Sequence, residues 1–146
     1  MKKKIDLELT SPEKQILKKS NITQKSFADL AVDEIIAVLN PEPQRARIIQ
    51  ALYEFQSIPS IGIRFAHDLI FLGYYQLAHV KDKNGPDMLN EYEHKIGYKV
   101  DPCVEDQFWL VVYHANHPQS KNQWWDFTAA RKAYRNKYGY PNTRPK

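Results

Sequence analysis

Two apolar periodic runs meet almost without a gap between Phe55 and Gly73, and this stretch constrains the fold more than any other. Pro59 and Gly62 break the helical pattern at the junction of the two runs. The second run begins directly after Gly62, so there are too few residues for an ordinary loop. The stretch therefore predicts two helices joined by a very tight hairpin. A connection this short forces the two helices to cross closely.

Helix signals recur along the rest of the chain, and no stretch alternates long enough to demand a strand. We therefore expect an all-α fold. Most predicted helix starts have a capping side chain or a first-turn proline, and most predicted stops are glycines. The predicted starts are Ser11–Pro12, Thr23 (a turn through Phe27 and Leu30), Asp33, Pro41, Pro86 and Asp101–Pro102, and the predicted stops are Asn40, Gly73, Gly97 and Gly139.

The chain of 146 residues is long enough for one domain with a real core. We expect a helical N-terminal prelude over residues 1–39, a hairpin core over 40–117 and a basic C-terminal helix and tail over 118–146. Trp124 and Trp125 would anchor the tail, since paired indole rings more often pack on a core than stack on bases.

Composition favours a soluble cytoplasmic protein. No apolar run approaches the roughly 20 residues that a membrane-spanning helix needs, and the charged N-terminus is not followed by the apolar segment of a secretory signal. The single cysteine, Cys103, cannot form an internal disulfide, which fits a reducing compartment. We therefore expect no membrane partner.

Positive charge is concentrated at the two ends of the chain. Residues 1–20 carry six lysines against three acids, and residues 121–146 carry seven basic residues against one acid, while the middle is acidic. Basic arms suit contact with a polyanion, although they are equally common as solubilising surface. Arg131, Lys132, Arg135 and Lys137 form the clearest basic cluster.

The start of the second hairpin helix is a candidate anion site. The first amides of a helix have no intrahelical partners, and the helix dipole favours negative charge there. Here those amides belong to residues near Gly62, Ile63 and Arg64, and the Arg64 side chain adds a full positive charge.

Two sets of residues resemble known families. The hairpin Ile58-Pro59-Ser60-Ile61-Gly62, followed by Arg64, Ala66 and Leu69, resembles the helix-hairpin-helix motif of DNA repair and recombination proteins. Together with Asp101-Pro102-Cys103-Val104, the long helix after it and Trp124-Trp125, it resembles the bacterial pathogenicity-locus family, whose members are often labelled mitomycin resistance proteins. The resemblance runs from the first hairpin helix through the tryptophan pair and implies a compact multi-helix domain in a SAM-like arrangement.

The hairpin resemblance implies a DNA phosphate site made by Ser60, Gly62, Ile63 and Arg64. Gly62 matches the second glycine of the motif, and Arg64 matches a position where a basic residue often supports the phosphate. Ser60 stands at the first glycine position. If that position needs a positive φ, serine costs on the order of 1 kcal/mol or more there.

We therefore expect non-enzymatic, weak and sequence-independent DNA binding, with no cofactor, through the hairpin. Arg131, Lys132, Arg135 and Lys137 would support the DNA backbone. The alternative is a protein-interaction or scaffold module in which the hairpin is purely structural. In that case the aromatic surface of Tyr74, Tyr75, Trp124 and Trp125 would meet a protein partner.

Candidate catalytic and metal-binding residues are few. Cys103 lies about 16 Å along a helix from His114, too far for the two to share a metal with His117, so we expect no metal site. Cys103 follows a helix start that favours a thiolate, yet the acids Asp101, Glu105 and Asp106 would raise its pKa. The pairs Glu91/Glu93 and Glu105/Asp106 do not face each other and are interpreted as surface charge.

Overall fold

The computed structural model describes residues 4–22 and 31–146, and all regular structure within these ranges is helical. The prediction of an all-α fold is therefore confirmed for the described residues. The predicted turn from Thr23 through Phe27 and Leu30 lies outside them. The helices are α1 (Ser11–Lys19), α2 (Val32–Leu39), α3 (Pro43–Gln56), α4 (Ile63–Phe71), α5 (Gly85–Ile96), α6 (Pro102–Asn116) and α7 (Thr128–Tyr138), with short 3-10 helices at Leu77–Val80 and Trp124–Phe127.

Proline and glycine signals located the central helices well. Asp101 caps α6 by accepting the Cys103 N–H at 2.9 Å, as expected from the Asp-Pro pair. Gly97 ends α5 and Gly73 follows α4, both in the left-handed conformation. The Gly73 N–H donates to the Ile70 carbonyl at 2.8 Å, and the Tyr74 N–H donates to the Leu69 carbonyl at 3.0 Å. This pair of bonds satisfies the last carbonyls of α4.

Four predicted helix starts are displaced by one or two residues. The second helix begins at Val32, not at Asp33, and the fifth begins at Gly85, not at Pro86. The cap of α1 is Thr10, not Ser11, because Thr10 and Glu13 form a reciprocal capping box. The third helix begins at Pro43, not at Pro41. Asn40 takes a left-handed conformation with φ of 46°, and the chain then runs extended before Pro43 occupies the first turn.

The hydrophobic core is one cluster that extends from Leu7 to Val111 in the sequence. The hairpin helices α3 and α4 and the long helix α6 supply fully buried residues to it, and α6 also contacts α5, α7 and both 3-10 helices. The aromatic centre of the core is formed by Phe65 of α4, whose ring lies edge-on 4.8 Å from that of Phe108 in α6. None of the described helices has both the length and the apolarity needed to cross a lipid bilayer.

Candidate nucleic-acid interface

The connection between α3 and α4 is five residues of tight turn after a cap at Ser57. The Ser57 hydroxyl donates to the Tyr53 carbonyl at 2.7 Å, and the Ile61 N–H donates to the Ile58 carbonyl at 3.2 Å. The side chains of Ile58 and Ile61 are fully buried. The turn is therefore anchored in the core by its two isoleucines, and the residues between and after them are held at the surface.

Ser60 occupies the left-handed region with φ of 64°, a conformation that glycine adopts without cost. For serine the strain is about 1–2 kcal/mol. Its hydroxyl accepts the Trp124 N–H at 3.0 Å, across 64 residues of sequence. Glycine could not make this bond, so Ser60 joins the hairpin to the C-terminal segment.

Gly62 caps α4 in an extended conformation, with φ of −101° and ψ of −174°. This conformation is open to other residues, and a Cβ built at Gly62 would meet no atom within 4 Å. No side chain caps the helix start. Gly62 is exposed, so the start of α4 lies at the surface of the described structure, where its first amides have no intrahelical partners.

Arg64 is exposed one residue after the start of α4, as expected. Asp68 lies one turn further along the same helix and accepts a hydrogen bond from the Tyr92 hydroxyl at 2.9 Å. Burial raises the pKa of Asp68 above its usual range, against the opposing effects of Tyr92 and Arg64. The start of α4 thus combines amides that have no intrahelical acceptor with the cation of Arg64. The half-buried carboxyl of Asp68 lies one turn further along the helix.

The basic cluster of α7 does not form one exposed face, which corrects our expectation for Arg131 and Arg135. Arg131 is 9% exposed, and its Nε donates to Asp106 Oδ1 at 2.8 Å. Arg135 Nε donates to Glu105 Oε1 at 3.0 Å, and the Arg135 side chain is 7% exposed. Both arginines are engaged with carboxylates of α6, so only Lys132 and Lys137 of the cluster face solvent.

The interpretation of Glu93, Glu105 and Asp106 as surface charge is wrong. All three are buried, and each is paired with an arginine of the C-terminal segment. Burial alone would raise the pKa of Glu93, but hydrogen bonds from Arg144 and from the Val100 N–H hold it below its usual range. These pairs fasten α7 and the tail to α5 and α6. Glu91 is exposed, as expected.

Cys103, His114 and His117 are not brought together, and the described ranges contain no cluster of three His, Cys, Asp or Glu side chains that could hold a metal. The Cys103 thiol donates to Asp101 Oδ1 at 2.7 Å, and this bond together with burial raises the pKa of the thiol. The predicted direction of this shift is confirmed. His114 is buried, which lowers its pKa, while His117 is exposed at the end of α6.

The four aromatic residues of the predicted alternative interaction surface differ in how far they are exposed to solvent. Tyr74 is buried and its hydroxyl donates to Glu91 at 3.0 Å, and Tyr75 lies under the guanidinium of Arg47 at 4.0 Å. Trp124 is half-buried against the core, as an anchor should be. Trp125 is 54% exposed and stands edge-on to Trp124. The expected surface is therefore reduced mainly to Trp125.

An open groove of about 940 Å³ lies between α5, α6, Phe127 and α7, and our reading of the sequence missed it. Its aromatic lining comes from Trp109 and Tyr113 of α6, Phe127 of the 3-10 helix and Tyr134 of α7. The only local signal was the four-residue spacing of Trp109 and Tyr113 on α6. The other half of the groove depends on how α7 docks.

Comparison with known families matches residues 48–133 to the family described as pathogenicity locus (Cdd1), which is more than half of the chain. The chain belongs to the pathogenicity locus family. The matched region begins within α3 and ends within α7, so it contains the hairpin, Arg131 and the groove residues up to Ala130, while Tyr134, Arg135 and Arg144 lie beyond it. No curated protein and no solved structure matches the chain.

Proposed function

We propose that this pathogenicity locus protein binds DNA weakly and without sequence specificity, through a backbone phosphate held at the start of α4. The observation that carries the proposal is the turn itself. Left-handed Ser60 is followed by Gly62, which is extended, gives α4 no side-chain cap and has open space where a Cβ would be. We infer that α3, the turn and α4 form a helix-hairpin-helix unit. Gly62 has no conformational or packing need to be glycine, but close approach of a phosphate to the amides would require it.

The chemistry of the site suits a phosphate oxygen. The amides of Gly62, Ile63 and Arg64 are oriented donors at the positive end of the helix dipole, and they need no reorganisation to bind an anion. The exposed Arg64 guanidinium adds a mobile charge-assisted donor beside them. These groups do not contact base edges, so they carry no sequence information.

The proposed contact is small, and this predicts its strength. Arg131 and Arg135 are engaged with buried acids, which leaves Lys132 and Lys137 as the exposed cations of α7. With one to three phosphates neutralised, the slope of log K against log salt should be about −1 to −3, since each phosphate contributes about −0.9. Such a protein binds duplex DNA in the micromolar range only at low salt.

The experiment is fluorescence anisotropy with a labelled 20-base-pair duplex at several salt concentrations. Gly62→Asp should abolish binding, because its carboxylate both caps the amides and repels phosphate, whereas aspartate at this position is a good helix cap and should leave the unfolding midpoint unchanged or higher. Arg64→Glu should weaken binding at least tenfold. Lys99→Glu, at an exposed lysine outside the two basic ends of the chain, is the matched control for charge and should change affinity less than twofold. Wild-type binding that Gly62→Asp and Arg64→Glu both leave intact would refute the proposal.

A protein-interaction module is the second candidate, and the exposure of Trp125 favours it. In that case partner binding would respond little to salt and would be lost in Trp125→Ala, while Arg64→Glu would have no effect. The SAM-like arrangement, the cytoplasmic location and the mitomycin-resistance label of the family stay predictions.

A further inference from the structure

The groove between α5, α6 and α7 has the lining of a site for a flat aromatic ligand. Tyr113 stacks on His117 with ring centroids 4.2 Å apart and planes at 17°, and the Phe127 ring lies 5.3 Å from Tyr113. On the α7 side, Trp109 and Tyr134 meet edge-on at 6.0 Å. A volume of about 940 Å³ is at the upper end of the range for small-molecule pockets.

The polar groups at the groove present hydrogen-bond acceptors. Asn116 uses its side-chain amide to donate to the carbonyls of Lys81 and Val112, both at 3.0 Å, which leaves its side-chain oxygen as the remaining group. His117 Nδ1 lies 3.1 Å from the Tyr113 carbonyl, so in a neutral ring Nδ1 carries the proton and Nε2 is an acceptor. Two acceptors beside aromatic rings suit a planar ring that carries an amino group.

The groove is connected to the hairpin through a single turn of 3-10 helix. Ser60 holds the N–H of Trp124 at the first residue of this turn, and Phe127 at its last residue lines the groove. At about 2 Å per residue, the two ends are roughly 6 Å apart along the helix axis. The hairpin and the groove are therefore in contact with opposite ends of the same short 3-10 helix.

We propose that the groove binds an unpaired, amino-bearing nucleobase of the DNA strand whose phosphate lies at the start of α4. This inference rests on the proposed function and extends it, because it makes single-stranded or frayed DNA the better ligand. The aromatic rings stack on the base, and the oxygen of Asn116 and Nε2 of His117 accept hydrogen bonds from its amino group. Adenine and cytosine carry such an amino group, whereas thymine does not.

The test compares labelled 15-nucleotide dA and dT strands with a 15-base-pair duplex, using wild type and two variants of α7. Ala130 is exposed and lines the groove, so Ala130→Trp fills the groove without removing a core contact. Ala129→Trp, at an exposed neighbour outside the lining, is the matched control. Wild type should bind the dA strand roughly tenfold more tightly than the duplex, a factor within the range that one stacked base contributes. It should bind the dA strand more tightly than the dT strand.

Ala130→Trp should reduce dA-strand affinity to that of the duplex while leaving duplex binding unchanged, and Ala129→Trp should change neither. Adenosine without phosphate should bind wild type by calorimetry and fail to bind Ala130→Trp. If duplex binding is absent but adenosine binds in this pattern, the phosphate proposal fails and the groove survives. The groove proposal is overturned if Ala130→Trp leaves dA-strand binding intact, if wild type binds dA no more tightly than dT or duplex, or if adenosine does not bind wild type.

Discussion

Replacing Ser60 by alanine and by glycine separates its two roles in the hairpin. Both substitutions remove the hydroxyl that accepts the Trp124 N–H at 3.0 Å, across 64 residues of sequence. Only glycine also relieves the left-handed strain at φ of 64°. Both variants therefore lose the same hydrogen bond, and the difference between their stabilities measures the backbone strain minus the entropic cost of glycine in the unfolded chain.

The magnitudes follow from the geometry. Leaving the half-buried Trp124 amide without its acceptor costs about 1–2 kcal/mol, which is the expected destabilisation of Ser60→Ala. In Ser60→Gly the strain of about 1–2 kcal/mol is recovered, but the greater freedom of glycine in the unfolded chain takes back about 0.4–1 kcal/mol. Ser60→Gly should thus be about 0.5–1 kcal/mol more stable than Ser60→Ala and still less stable than wild type.

Urea unfolding followed by circular dichroism and by tryptophan fluorescence measures both differences. With a slope of about 1–3 kcal/mol per molar urea, the midpoint of Ser60→Ala should fall by roughly half to one molar, and that of Ser60→Gly by less. A Ser60→Gly midpoint at or below that of Ser60→Ala would show that the strain at Ser60 does not exceed the entropic cost of glycine, about 0.4–1 kcal/mol. Wild-type stability in Ser60→Ala would show that the hydroxyl does not hold the C-terminal segment.

Three further substitutions test the packing and the ion pairs. Gly85→Ala should destabilise by about 1–3 kcal/mol in urea unfolding, since its Cβ would lie 2.3 Å from Cδ1 of the Trp109 ring, and wild-type stability would contradict this close approach. Arg135→Met should lower the free energy of unfolding by about 3–5 kcal/mol, because it leaves the buried carboxylate of Glu105 without its counter-charge. The control Lys132→Met, at an exposed residue, should change it by no more than about 0.5 kcal/mol. Equal effects of the two substitutions would refute the burial of the ion pair. The hydrogen bond from Arg45 lowers the pKa of Glu13 from 4.5 to about 2. The Glu13 carboxylate therefore stabilises the fold fully above pH 4.5 and loses that effect as the pH falls toward 2. Glu13→Gln should flatten the acid limb of a plot of unfolding free energy against pH, and an unchanged limb would exclude the pair as its cause.

The helices were predictable where their limits are set by local chemistry. Asp101 before Pro102 caps α6, and Gly73 and Gly97 end their helices with backbone conformations that glycine accepts most easily. The hairpin was equally predictable from the sequence, because the spacing of Pro59 and Gly62 leaves no residues for a longer loop. These features depend on neighbours a few residues away, which a sequence displays directly.

The burial of charge was not predictable, because it depends on partners far along the chain. Glu93 is separated from Arg144 by 51 residues, and Glu105 from Arg135 by 30, so nothing near either acid marks it as a core residue. A basic helix and a set of scattered acids each resemble solvated surface when read alone. The groove was hidden for the same reason, since Tyr134 meets Trp109 only after α7 has docked.

The ion pairs of the C-terminal segment also bear on how the chain can be recombined with its relatives. Glu93 and Glu105 lie inside the matched family region, whereas Arg144 and Arg135 lie outside it. A chimera that keeps residues 48–133 but takes its tail from a donor without these arginines would inherit two buried acids and neither counter-charge. Each buried acid and its arginine must therefore come from the same parent, and a chimera that exchanges both members of a pair together preserves the fold.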